Sequence, residues 1–269
     1  MALSNVSLTA GMRNNLLGMQ STSRLMDTTS TRLGTGRKVN SALDNASAYF
    51  ASQAHMQRAN DFANRKDGMS EAIQTVKAAD AGIRGVTSLV EQLKGIVASS
   101  EGADADEITA NDTMIAEIVT QIDALIADSN YKGTNLLDGV AALTVYFNED
   151  GTNSMDVATT DVQAATLGID SLDISDSANV ATSLESIQTA LDTLRTTSQT
   201  LSANLGVITA RQEFTSNMMN TLQIGSDNLI LADLNEEGAN MLALQTQQQL
   251  STSALSLSSQ AAQAVLRLF

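Results

Sequence analysis

The chain holds one histidine, His55, and no cysteine among its 269 residues. Thiol nucleophiles, thiolate metal sites and disulfides are thereby excluded. With a single imidazole there is neither a His-pair metal site nor an HExxH zinc motif, and His55 reads as a polar residue on a helix flank. The stretch Gly34-Thr35-Gly36-Arg37-Lys38 offers glycines and cations. It lacks the GxxxxGK spacing and the preceding strand of a phosphate loop, and it reads as a backbone hinge at Gly34 and Gly36. Asn148, Glu149, Asp150 and Asp156 carry calcium-type oxygens, but without the twelve-residue register and closing bidentate Glu of an EF-hand loop they read as a hydrated hairpin tip. The methionines fall at helical spacing among Leu and Ile, which is a core pattern. The inventory describes a non-enzyme without cofactor or metal, and the question becomes what the elements build.

Apolar residues make up 43% of the chain but aromatics only 3%, and proline is absent. A core of Leu, Ile, Val, Met and Ala uninterrupted by proline favours packed helices. Met12, Leu16, Met19, Ser23, Met26, Ser30 and Leu33 alternate steps of four and three, the spacing of one helical seam. The pattern stops at Gly34-Thr35-Gly36. Ser41 and Asp44 have the Ser-x-x-Asp form of a capping box and predict a second helix starting there. Within it Met69, Ile73, Val76, Ile83, Val90 and Val97 keep a heptad grid, with Asp80, Thr87 and Lys94 at intervening positions. Ile108, Asn111, Ile115, Ile118, Ile122 and Leu125 repeat the spacing behind Asp104, Asp106 and Glu107, acids suited to a helix N-terminus. Ser177 is the expected N-cap of a further run: Val180, Leu184, Ile187, Leu191, Leu194, Ser198, Leu201, Leu205 and Ile208. Between 140 and 176 the period changes. Ala142 to Phe147, the turn Asn148 to Gly151 and the alternation of Met155, Val157 and Thr159 read as a β-hairpin.

The last stretch is apolar on two flanks. One series runs Met241, Leu244, Gln248, Ser251, Leu255, Ser258, Ala262, Val265 and Phe269, and a neighbouring one runs Leu250, Ala254, Leu257, Ala261, Ala264 and Leu268. Two adjacent seams need more than one partner helix. Burying a few hundred Å2 of that surface contributes several kcal/mol at ~25 cal/mol per Å2, and other copies of the chain are the place to bury it. The helices at 5 to 33 and 228 to 269 are each roughly 40 to 60 Å long, and they gain their order on assembly.

Charge is lopsided. Residues 1 to 99 carry eleven Lys/Arg against seven acids, residues 100 to 190 only Lys132 against seventeen, and the net charge is −15. Such a surface disfavours nucleic acid and anionic lipid, and no run of eighteen apolar residues suggests a membrane span. The opening residues lack the pattern of a Sec signal.

Three segments carry a family resemblance: Arg32 to Ala46 (RLGTGRKVNSALDNA), Tyr131 to Gly139 (YKGTNLLDG), and Ala232 to Leu250 (ADLNEEGANMLALQTQQQL) continuing to Leu266 to Phe269 (LRLF). In order and at both ends, they resemble bacterial flagellin. The resemblance implies a mainly α fold: a long antiparallel helical bundle or coiled coil with a small β-hairpin, whose paired N- and C-terminal helices form the polymer core. It divides the chain into a terminal-helix polymerisation domain (1–40 and 228–269), a helical domain (41–140 and 177–227) and the hairpin with its loop (141–176). Assembly is then expected to rest on Leu16, Met19, Met26, Leu33, Met241, Leu244, Leu250, Leu255, Leu257, Val265, Leu268 and Phe269. The implied role is an extracellular filament subunit for swimming, exported through the flagellar type III apparatus. Implied partners are its own copies, other flagellins, hook-associated junction proteins, the filament cap and a cytoplasmic export chaperone.

Two departures are visible. The insert between the halves is only about 36 residues, which predicts no large outer domains. Where enterobacterial-type flagellins carry an Arg, with a Leu four residues on, that the host Toll-like receptor contacts, this chain has Gln92 and Ile96, with Glu91 alongside. Loss of the forked guanidinium predicts weak sensing in a receptor reporter assay. The other readings to weigh are a hook-filament junction protein and a secreted coiled-coil effector. A flagellin bearing a peptidase is disfavoured by the short insert and the missing zinc motif.

Overall fold

A computed structural model describes residues 10–140 and 142–266. Six helices and two short strand pairs follow in the order α1 (Ala10–Thr35), α2 (Ala46–Ser99), α3 (Ala105–Asp128), β1 (Asn130–Tyr131), β2 (Thr134–Asn135), β3 (Leu143–Tyr146), β4 (Ser154–Val157), α4 (Ala164–Leu167), α5 (Ser177–Ile230) and α6 (Leu234–Leu266). The chain forms two compact units, residues 1–57 with 222–269 and residues 58–221. The helices α2 and α5 contribute to both.

In the unit 58–221, α2 buries Phe62, Met69, Val76, Ile83, Val90 and Val97 at strict intervals of seven. The intervening buried positions include Ala72, Ala79, Val86 and Leu93; Ile73 of the expected grid is buried as well, while Asp80, Thr87 and Lys94 each fall one residue past the buried position. Asp80, Thr87 and Lys94 therefore sit on the flank of the seam, where a polar group reaches water. The helix α5 behaves alike. Val180, Ile187, Leu194, Leu201 and Ile208 are buried every seventh residue, and Ser183, Ala190 and Thr197 fill the gaps. The two helices run antiparallel, with Ser198 Oγ donating to Asp80 Oδ1 at 3.0 Å and Gln212 Nε2 donating to Ser70 Oγ at 2.6 Å.

The third long helix, α3, starts as its acids foretell. Asp104 caps it by accepting from the N–H groups of Asp106 and Glu107, and the Glu107 carboxylate accepts from the Asp104 N–H, completing the capping box. Its Ile115, Ile122 and Ile126 complete the core. Where the segment after α3 crosses α2, glycine is required: a Cβ on Gly82 would lie 2.7 Å from Ser129 Cβ and 2.9 Å from Leu137 Cδ1.

Two other helix starts differ from expectation. Ser41 does not cap α2. Asp44 folds back onto Asn40 and Ser41, and Asn45 Oδ1 accepts from the Ala48 N–H at 3.1 Å. At α5 the cap is Asp176, which accepts from the Asn179 N–H at 2.8 Å, and Ser177 is already helical. In both places the aspartate or asparagine next to the helix outcompetes a serine for the open N–H groups.

The hairpin lies where alternation placed it. β3 and β4 pair antiparallel with Leu143 opposite Val157 and Val145 opposite Met155. Val145, Phe147 and Val157 turn into the core, and Thr144 and Tyr146 turn out. The β1–β2 ladder closes on Lys132 and Gly133, both with positive φ, as a two-residue hairpin requires.

Candidate self-assembly surface

In the unit 1–57 with 222–269, α1 and α6 pack side by side. The end of α1 meets the start of α6, where Arg32 Nη1 donates to Glu237 Oε1 at 2.8 Å, so the pair is antiparallel. Glu237 is buried, and the guanidinium supplies the charge that makes this tolerable. The inward seam of α1 is Met12, Asn15, Met19, Thr22, Met26, Thr29 and Leu33, all buried or half-buried. The expected seam shares Met12, Met19, Met26 and Leu33. Its alternates Leu16, Ser23 and Ser30 are exposed, and Leu17 and Leu25 stand out with Leu16. On α6, Met241, Leu244, Gln248, Ser251, Leu255 and Ser258 are half-buried, as the first series anticipates. The neighbouring flank is open: Leu250 is 67% exposed and Leu257 66%. Val265 by its side chain, and Leu268 and Phe269 altogether, lie outside the described residues. After Glu237, α6 has no charged side chain up to Leu266.

Two connectors join these helices to α2 and α5. Gly34 continues α1, and the turn is made by Gly36, whose φ of 69° is left-handed and whose N–H returns to the Arg32 carbonyl at 2.8 Å. The strand-like segments 36–39 and 230–232 then exchange backbone bonds: Lys38 N–H to Ile230 O at 2.7 Å, Val39 N–H to the same carbonyl, and Ala232 N–H to Gly36 O at 3.0 Å. Next to them Asp44 accepts from the N–H groups of Asn40 and Ser41, each at 2.9 Å, and from the Ser41 hydroxyl. The Asn40 N–H first, then that of Ser41, holds the Asp44 carboxyl below the usual aspartate range. A lowered carboxyl pKa makes this clamp stabilising above the unfolded pKa, and the stabilisation fades as pH falls through the folded value. Just inside α2 and α5, Ser52 and Ser226 share a buried hydroxyl–hydroxyl bond of 2.8 Å.

The residues with chemical potential are spent on structure. His55 lies half-buried on α2 beside Gly225. Gly36 to Lys38 serve the connector pairing. At the hairpin tip Glu149 takes Arg58 Nε at 2.8 Å and its carbonyl takes Arg65 Nη2 at 3.1 Å. Asn148 pins the turn through Thr152 and Asn153, and Asp156 accepts from Thr144 across the hairpin. Among the described residues no group of three or more His, Cys, Asp or Glu is placed to hold a metal ion, and no helix is long and apolar enough to cross a membrane. Glu91 and Gln92 are exposed on α2, and Ile96 is half-buried against the core. Sequence reading missed Asn15, Thr22 and Thr29 of the α1 seam and the Arg32–Glu237 pair. A phase one residue earlier on the same heptad would have found the first three.

The bacterial flagellin N-terminal helical region matches residues 6–142, and the bacterial flagellin C-terminal helical region matches 184–269. A flagellin of Brucella melitensis is 31% identical over 93% of this chain and 94% of its own length. Flagellin FljK of Caulobacter vibrioides is 27% identical over all of both chains. The crystal structure of Bacillus cereus flagellin shares the fold with a TM-score of 0.50 over 55% of this chain and 88% of that one, at 16% identity. With the N- and C-terminal regions matched in order across most of its length, the chain belongs to the bacterial flagellin family.

Proposed function

We propose that this flagellin enters its filament by wedging the outer flanks of α1 and α6 among neighbouring copies. The chain is a structural subunit of the extracellular flagellar filament, self-assembling with other flagellins for motility. One observation carries the proposal: α1 and α6 already cover one flank of each other and still expose Leu16, Leu17, Leu25, Leu242, Leu250 and Leu257. Leucines at this density on ordered helices are an interface in waiting. The part of α6 beyond Glu237 adds support, because it carries no charge up to Leu266 and burying it among copies desolvates no ion.

In this reading Met19, Met26, Leu33, Met241, Leu244 and Leu255 hold the pair within one subunit. Leu16, Leu250 and Leu257 face its neighbours, and Val265, Leu268 and Phe269 extend the second flank. Residues 1–40 and 228–269 are the polymer core, 41–140 and 177–227 the helical domain and 141–176 its hairpin, with Gly34 and Gly36 at the hinge. Export runs through the flagellar type III apparatus. Before assembly a cytoplasmic chaperone covers the apolar flank of α6, and the junction proteins and the cap meet the filament's ends. Glu91, Gln92 and Ile96 make a poor contact for the flagellin receptor. The family role is structural, and no catalytic residue enters the reading.

The test removes Ser251 to Phe269. The truncated chain is expected to stay helical and soluble by circular dichroism and to form no filaments by electron microscopy under conditions that polymerise the whole chain. Filaments from the truncated chain would overturn the proposal.

A further inference from the structure

Sixteen large apolar side chains are exposed among the described residues, and eleven belong to the unit 1–57 with 222–269. Most of the eleven ride on α1 and α6. The most exposed of all does not: Leu43 is 98% exposed, on the turn between the first connector and α2.

That turn is built rather than loose. The Asp44 carboxylate gathers the N–H groups of Asn40 and Ser41 and the Ser41 hydroxyl, and the Ser41 oxygen in turn accepts from the Leu43 N–H at 3.3 Å. The Asp44 N–H closes on the Ser41 carbonyl at 3.1 Å. Asn45 caps α2 directly behind, and the connector ahead is paired with 230–232. The backbone of Leu43 is thus fixed on both sides while its side chain touches almost nothing. A leucine held this way loses conformational freedom without gaining burial inside the subunit. The compensation comes from outside.

We infer that Leu43 inserts into a second copy of this chain, so that the interface between subunits continues from α1 and α6 over the connector to the start of α2. The inference rests on the proposed assembly through the terminal helices, and continuity with that surface selects the occupant. Leu43 belongs to the same compact unit as the exposed leucines of α1 and α6. Leu231 and Leu234, exposed on the paired connector and at the start of α6, extend the apolar surface in the same unit.

The absence of cysteine allows a direct test. Leu43→Cys, mixed as one part in about ten with unmodified chain, is polymerised, and maleimide labelling is timed in monomer, in filament and after thermal depolymerisation. Labelling in the filament is expected to slow about tenfold or more and to recover on depolymerisation. In a separate measurement Leu43→Asp is expected to raise the critical concentration about tenfold or more, the scale of one buried leucine. Equal labelling rates in monomer and filament, or a critical concentration unchanged within about twofold, overturns the inference. Failure of the unmodified chain to polymerise would instead strike at the assembly proposal, so the two are told apart.

Discussion

At Gly82 a hydrogen is the largest substituent α2 can carry, since Ser129 and Leu137 approach within 3 Å of where a Cβ would stand. At Gly95, on the same helix, nothing lies within 4 Å. The two glycines therefore respond with opposite signs to the same change. Gly82→Ala is expected to cost about 1–3 kcal/mol through crowding, and Gly95→Ala to gain about 0.5–1 kcal/mol through helix propensity. Urea unfolding of the soluble chain measures both, and equal shifts would show that the contact at Gly82 relaxes freely. Single residues are also where the sequence speaks unevenly. The acids Asp104, Asp106 and Glu107 correctly mark the start of α3, and the structure adds that Asp104 and Glu107 close a capping box there. Ser41 and Asp44 have the same outward form, yet Asp44 turns back to Asn40 and Asn45 takes the cap. Motif spacing does not say which of two neighbouring acceptors faces the free N–H groups.

Among the elements, the long helices, their heptads and the hairpin were legible from spacing, while the phase of the seams on α1 and α2 was not. A grid of steps four-three and one of steps three-four share every seventh residue. Met69, Val76, Ile83, Val90 and Val97 belong to both, and choosing between Leu93 and Lys94 needs the partner helix. In α1 hydrophobicity even points the wrong way: Leu16 is more apolar than Asn15, but Asn15 faces α6 and Leu16 faces outward. Leucines set aside for neighbouring molecules resemble core leucines in a single sequence. The phase has a direct consequence for stability. Leu93→Ala, at a fully buried site, is expected to destabilise by about 2–5 kcal/mol. Lys94→Ala removes one exposed bond to Gln188 and is expected to stay within about 0.5 kcal/mol of neutral. Thermal and urea melts of the two variants decide it, and comparable losses would mean the seam runs through Lys94 after all.

For the molecule as a whole, a net charge of −15 sets apolar attraction between copies against long-range repulsion. Raising sodium chloride from about 10 mM to about 150 mM shortens the screening length from about 30 to about 8 Å. The critical concentration for polymerisation is expected to fall several-fold, as sedimentation of filaments reports. A rise instead would mean that ion pairs, not leucines, dominate the contacts. Along α2 and α5 the buried apolar positions recur at every seventh residue. An apolar ladder whose rungs are nearly interchangeable looks almost the same after a shift of one heptad, about 10.5 Å. What tells one rung from the next is a handful of marks: Ser52 against Ser226, Ser70 against Gln212, Asp80 against Ser198, and Lys94 against Gln188. They act as the graduations of a ruler, weak individually, through which a greasy, repetitive strip acquires a single axial address.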